Sequence, residues 1–168
     1  IMTIQNYKKS LDGLRVAIVG DVAHSRVARS KIVGLKKMGA KVSVVGPKTM
    51  MPFDIQNLDV DVFHDLKSGL ENADIVMMLR IQKERLNLSP FPSLDEYAMH
   101  FGLNSESIKP LKEEAVILHP GPINRGVELS SDLADSERAV ILDQVENGVA
   151  LRMAVLHSFC GGDEGDLK

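Results

Sequence analysis

LRVAIVGDVAHSRVARSKIVGLKKMGAKVSVVG, Leu14 to Gly46, is the stretch that decides the fold. LRVAIVG and KVSVVG are short Val- and Ile-rich runs, and the first is apolar on both faces, the pattern of a strand buried in a parallel sheet. Between them, Arg26 to Met38 places Val27, Ile32, Val33, Leu35 and Met38 on an approximately helical period. Gly39 stands where a helix C-terminal cap belongs. Strand, helix and strand over this length make a βαβ unit, and such a unit requires parallel neighbours in one sheet.

The same reading extends outward. DVFHD (Asp61 to Asp65), DIVMMLR (Asp74 to Arg80) and AVILH (Ala115 to His119) are further strand candidates. Ser93 with Glu96 has the form of a capping box for a helix through Tyr97 and Met99, and Asn104 or Ser105 is placed to cap another. A last helix is expected from Gln144 to Phe159, with Val145, Val149, Leu151, Ala154, Val155 and Phe159 supplying apolar contacts. Met50, Met51, Met77, Met78 and Met153 read as core or loop filler. The expected fold is α/β, a three-layer α/β/α sandwich on a Rossmann-like parallel sheet. One domain is expected over residues 1–160, followed by a flexible, Gly-rich and acidic tail over 161–168.

Composition narrows the function. The 168 residues are 44% hydrophobic and 26% charged, ordinary for a globular protein. Their net charge of −3 lacks the basic bias that phosphate-backbone binding needs, so no nucleic acid partner is expected. No apolar run approaches the roughly 20 residues that span a bilayer, and no signal-type segment opens the chain, so a cytoplasmic protein without membrane contact is expected. A single cysteine, Cys160, allows no intrachain disulfide and no thiolate cage. The spacings of His24, His64, His100, His119 and His157 match no zinc signature; neither metal nor cofactor is expected, and these histidines read as loop or surface residues, with His24 near the site. Ile1 precedes Met2, which suggests a piece of something longer.

Parallel sheets flanked by helices bind ligands at the carboxyl ends of their strands. Three segments belong at that edge: GDVAHSRVARS after the first strand, LRIQKERL after the fourth and HPGPINRGVE after the fifth. The first lacks G-x-G-x-x-G, since positions 22, 23 and 25 are Val, Ala and Ser, and the dinucleotide reading fails there. It places Arg26 and Arg29 in the first turn of a helix, where cations oppose the helix dipole unless an anion is bound. Arg26 favours a ligand; Arg29 fits a ligand or a surface pair with Asp21. Arg80 ends an apolar strand where an unpaired guanidinium would be costly. It therefore needs an anion, either a ligand or a glutamate such as Glu84 or Glu128. Gln82 points the same way if the chain stays extended. Lys83, Glu84 and Arg85 read as a solvated or loop-anchoring cluster. In HPGP, Pro120 and Pro122 have no N–H, so the turn offers mainly carbonyl acceptors, and Gly121 clears room for a ligand. The alternative is a rigid connection, cis-prolyl or not, serving topology alone. Two arginines and a carbonyl cradle describe a substrate with two negative groups and an amine or amide.

HSRVARS, LRIQKERL, EYAMHFGLN and ILHPGPINRGVEL together resemble the catalytic chains of the aspartate carbamoyltransferase family, and the resemblance covers nearly all of residues 11 to 158. The related ornithine enzymes share the fold but differ in signature, with an Asp-x-Trp-type strand end and a Cys in the His-x-Leu-Pro turn. This chain has no Trp. Gly121 departs from members with Leu there, a change that a carbonyl contact survives.

The resemblance implies carbamoyl transfer from carbamoyl phosphate to L-aspartate, giving N-carbamoyl-L-aspartate and phosphate for pyrimidine biosynthesis. It implies that Arg26 and Arg80 hold the aspartate carboxylates, that Gln82 orients the substrate, and that Pro120, Gly121 and Pro122 receive the carbamoyl group. It also implies that Lys83 to Asn104, with Arg85, form a closing loop, and that Arg125 with Glu128 stabilises the closed arrangement. Family members carry an N-terminal carbamoyl-phosphate domain with a Ser-Thr-x-Thr-Arg loop, a His-Pro-x-Gln segment and a lysine lent by a neighbouring subunit; none of these motifs is in this sequence. The implied object is the aspartate-binding half of a homotrimeric enzyme, starting in the helix that links the domains and inactive alone. A noncatalytic α/β regulatory or assembly module is the alternative of another class, with the apolar surface of the last helix as its interaction face, and an ornithine-type domain is the alternative within the family.

Overall fold

The computed structural model describes residues 1–82 and 93–160. In chain order it contains α1 (Met2–Lys8), β1 (Arg15–Val19), α2 (Arg26–Lys37), β2 (Lys41–Val45), β3 (Asp61–Phe63), α3 (Leu66–Leu70), β4 (Ile75–Met78), α4 (Leu94–Phe101), β5 (Val116–Leu118), α5 (Ser131–Ala134) and α6 (Ile141–Cys160), with 3-10 turns at Lys48–Met50 and Ile55–Leu58. The five strands form one sheet in the order β3-β2-β1-β4-β5, and every pairing is parallel. The expected strands are all present, and the βαβ unit pairs Val16 with Val42 and Val19 with Val45.

Strand periodicity divides the core between the two faces of the sheet. Val16, Ile18, Val42, Val44, Ile75, Met77, Val116 and Leu118 point to the layer holding α1 and α2, where they meet Ile4, Ala28, Ile32 and Leu35. Ala17, Val19, Val45, Val76, Met78 and Ile117 point to the other layer, against Leu66, Leu70, Leu103, Leu111, Leu129 and Leu133. Helices on both faces make the expected α/β/α sandwich. Each enclosed Val, Ile or Met contributes roughly 1.5–3 kcal/mol relative to exposure.

Several local expectations differ from what is found. α2 buries Ala28, Ile32 and Leu35, while Val27, Val33 and Met38 stand 36–45% exposed. The stripe 28, 32, 35 follows the helical repeat, and small Ala28 lets α2 lie close to the sheet. Asn104 caps no helix: its side chain accepts the N–H groups of Glu106 and Ser107 and stabilises a run of turns before Pro110. α6 starts at Ile141, earlier than Gln144, and its expected contact residues Val145, Val149, Leu151, Val155 and Phe159 are exposed. Met153 is exposed rather than core. α6 is anchored on α1 near its start, where Asn147 Nδ2 donates to Thr3 Oγ1 at 3.0 Å and Tyr7 hydrogen-bonds Asp143. No helix among the described residues is long and apolar enough to cross a membrane. Residues 161–168, expected as a tail, lie outside the described residues.

Candidate functional site

At the carboxyl edge of the sheet, the segments after β1, β4 and β5 enclose a cleft of about 680 Å³, open mouth included. Asp21, His24, Ser25, Arg26, Val27, Arg80, Gln82, Pro120 and Gly121 line it. Arg26, Arg80, Gln82, Pro120 and Gly121, singled out one by one from three distant segments, thus share one cavity. Pro122 is exposed and does not line it. Lys83, Glu84 and Arg85 lie outside the described residues, as does most of the implied closing loop.

Local chemistry places each wall. Ser25 caps α2, its Oγ accepting the Ala28 N–H at 3.1 Å, and so sets Arg26 as the first helical residue at the positive end of the dipole. Asp21 accepts the His24 N–H at 3.1 Å and lies 3.0 Å from His24 Nδ1, folding the turn that leads into the helix. Arg29 pairs with Asp54 at 3.1 Å rather than with Asp21, and lines a neighbouring surface depression instead of the cleft. Arg80 and Gln82 follow β4, both half-buried. Gln82 Oε1 is enclosed with no hydrogen-bond partner among the described residues, leaving an acceptor for a donor from outside.

The third wall is the HPGP turn. Gly121 has φ +63°, with nothing within 4 Å of where a Cβ would stand, so the backbone conformation, rather than crowding, is what favours glycine there. The Gly121–Pro122 bond is cis. His119 is not the surface residue its sequence setting suggested: it is 1% exposed, with Nε2 at 3.0 Å from Glu128 Oε1 and Nδ1 accepting the Gly121 N–H at 2.9 Å. Arg125 and Glu128, expected to act together, take separate partners. Arg125 makes a two-pronged pair with Asp135 at 2.7 and 2.8 Å, and holds the exposed Asp135 carboxyl below its usual range through that hydrogen bond. Glu128 is wholly buried and also accepts the Asn124 N–H at 2.8 Å. Asn124 Nδ2 then donates to the Ile81 carbonyl at 2.9 Å, tying the turn to the β4 wall.

Beneath the cleft, Tyr97 and Phe101 of α4 stack at 5.7 Å and pack with Met50 and Ile81. Burial pushes the Tyr97 phenol far above its ordinary value, and the charges of Glu128 and Asp21 push the same way. The sequence reading missed Asp21, Tyr97, Asn124 and the His119–Glu128 pair as parts of the site. Asp21 alone carried a signal, its place right after a strand-ending glycine. Among the described residues no group of three His, Cys, Asp or Glu side chains is gathered to hold a metal ion.

This cleft offers cationic groups from two walls, one open amide acceptor and a carbonyl-rich turn, an arrangement suited to a small polyanion that also carries N–H groups. Residues 12–159 match the family model for aspartate/ornithine carbamoyltransferase, Asp/Orn binding domain. The aspartate carbamoyltransferase catalytic subunit of Syntrophus aciditrophicus is 55% identical over 161 residues, covering 96% of this chain and 52% of that protein. The corresponding subunit of Agrobacterium fabrum is 54% identical over 157 residues, covering 94% and 50%. The chain thus spans about half the length of the curated relatives it matches. Among solved structures, ornithine carbamoyltransferase from Pyrococcus furiosus superposes with a TM-score of 0.79 at 26% identity, over 96% of this chain and 54% of that one. Aspartate transcarbamoylase from Trypanosoma cruzi in complex with phosphate gives 0.75 at 26%, over 92% and 52%. By this match over most of its length and its identity to these relatives, the chain belongs to the aspartate/ornithine carbamoyltransferase family, as an Asp/Orn binding domain.

Proposed function

We propose that this chain is the L-aspartate-binding half of an aspartate carbamoyltransferase. The observation that carries the reading is the single cleft shared by Arg26, Arg80, Gln82, Pro120 and Gly121. Arg26 and Arg80 bind the two carboxylates of L-aspartate, each guanidinium offering paired donors to a carboxylate. Gln82 Oε1 accepts from the substrate amine and orients it. The carbonyls of Pro120 and Gly121, with Pro122 beside them, accept the N–H groups of the carbamoyl moiety. The amine nitrogen bonds to the carbamoyl carbon, the carbon–oxygen bond to phosphate breaks, and phosphate leaves with the bonding pair and takes up the amine proton. The chain's residues contribute by positioning and electrostatics, with no covalent intermediate on the protein.

Carbamoyl phosphate is also bound by a second half outside this chain, the carbamoyl-phosphate domain, in a cytoplasmic homotrimer serving pyrimidine biosynthesis. Residues 1–160 are assigned to the aspartate domain. Arg85, Arg125 and Glu128 serve loop closure, Arg125 through Asp135 and Glu128 from within. The reading is supported by the relatives named as aspartate carbamoyltransferase catalytic subunits at 54–55% identity.

Calorimetric titration with N-(phosphonacetyl)-L-aspartate, which joins features of both substrates, tests the proposal. Binding is expected, with L-aspartate preferred over L-ornithine. Arg80→Ala is expected to weaken the analogue by about tenfold or more, the loss of a charge-assisted contact. Equal affinity in the variant, or preference for L-ornithine, would remove the aspartate reading.

A further inference from the structure

Behind the cleft, a buried histidine and carboxylate join two of its walls. Both side chains of the His119–Glu128 pair are fully enclosed, at 3.0 Å from each other. His119 Nδ1 accepts the Gly121 N–H, and an imidazole nitrogen that accepts a backbone N–H carries no proton. The proton of the neutral ring therefore sits on Nε2 and is donated to Glu128 Oε1. The same oxygen accepts the Asn124 N–H, and Asn124 holds the Ile81 carbonyl, which lies between Arg80 and Gln82 in the chain.

The direction of one peptide follows from this. The cis bond in the turn is Gly121–Pro122, and the Pro120–Gly121 peptide before it is trans. In a trans peptide the C=O and N–H point to opposite sides. Holding the Gly121 N–H on the buried ring turns the Pro120 carbonyl away from it, toward the side where Pro120 and Gly121 line the cleft.

We infer that His119 and Glu128 are a buried positioning pair. His119, in its Nε2–H form, aims the Pro120 carbonyl at an N–H group of the ligand, and Glu128, through Asn124, keeps the Arg80–Gln82 wall in register with that carbonyl. Neither residue touches the ligand. The inference rests on the proposed substrate reading in taking the N–H donor to be a carbamoyl amide.

His119 makes a distinction that simple loss of structure would not: its hold on the Gly121 N–H matters to a ligand with a carbamoyl group and little to a dicarboxylate without one. Titration of the chain with N-carbamoyl-L-aspartate and with succinate reads this as a ratio of affinities. His119→Gln, which reaches Glu128 but presents no acceptor to Gly121, is expected to weaken N-carbamoyl-L-aspartate about tenfold and succinate less than about twofold, as for one hydrogen bond lost. His119→Asn, whose amide oxygen can stand where Nδ1 does, and Glu128→Gln, which keeps the acceptor, are expected to restore most of the ratio. Nitrogen-15 NMR of the unsubstituted chain should find the His119 proton on Nε2, a readout that needs no variant to fold. A proton on Nδ1, or an unmoved ratio in His119→Gln with both ligands binding, overturns the inference alone. Binding of neither ligand by the unsubstituted chain overturns the substrate reading and the inference with it.

Discussion

Tyr97 lies under the turn that leaves β1: a Cβ added at Gly20 would come 3.3 Å from its hydroxyl and 3.0 Å from Leu79 Cβ. Gly20 also holds φ +127°, a conformation other residues rarely adopt, so Gly20→Ala should lower stability by about 1–3 kcal/mol, read from the urea midpoint. Tyr97 carries a prediction with a definite sign. Its phenol is raised by burial, then by Glu128 and Asp21, so the folded state keeps its proton where the unfolded chain, titrating near about 10, loses it. Stability is fully present below that value and falls as pH rises above it, by up to about 1.4 kcal/mol per pH unit. Urea unfolding at about pH 9 and about pH 11 should show a steeper alkaline loss in the unsubstituted chain than in Tyr97→Phe, bracketing the free phenol value. Lys31, which burial shifts downward, acts in the opposite sense, but it is common to both proteins and cancels in the difference. At this scale Arg80 and Gln82 were legible as cleft residues because a charged or amide side chain just past an apolar strand needs a local reason, and Arg26 because a cation in the first turn of a helix opposes its dipole. The pairing of His119 with Glu128 was not, because it lies in a fold-back that buries both, and a nine-residue separation in a Pro- and Gly-rich turn gives no period to read.

α4 shows what a cap contributes to the site's floor. Ser93 Oγ accepts the Glu96 N–H at 3.1 Å, as the capping pattern suggested, and the helix it starts carries Tyr97 and Phe101 under the cleft. Ser93→Ala is expected to cost about 1 kcal/mol and lower the melting temperature by about 2–4 °C, measured by calorimetry. β1, β4 and β5 were readable at this scale because a buried parallel strand announces itself by an uninterrupted apolar run between turn residues, while β2, broken by Ser43, and the short β3 were read from Val-containing runs between turns. The helical faces were harder. In α2 the count of large apolar residues pointed to Val27, Val33 and Met38, whereas close packing against the sheet selected the stripe containing small Ala28. In the 105–111 segment, Asn104 satisfied two backbone donors in a turn, and Pro110 left too little chain for a helix.

Among the described residues, the surface of α6 is unexplained by the molecule's own packing. α6 is 20 residues long, and Ile141 is its one buried residue among those described. Leu142, Val145, Val149, Leu151, Met153, Val155, Leu156 and Phe159 are 47–86% exposed on it. A helix apolar on several faces is stable when something covers it, and an exposed apolar patch of this kind marks an interaction face. The relatives are about twice as long as this chain. On the proposed reading, the carbamoyl-phosphate half covers this face, and a chain without that half should bury the same residues against another copy of itself. Sedimentation velocity should therefore show association that rises with concentration. Leu151→Gln combined with Phe159→Gln should suppress it while moving the melting temperature by less than about 2 °C, because neither side chain packs in the core. The cleft lies on other elements, so affinity for N-(phosphonacetyl)-L-aspartate should be unchanged in the double variant. Undiminished association in that variant would show that the sticking surface lies elsewhere and that α6 is not the face the second half covers.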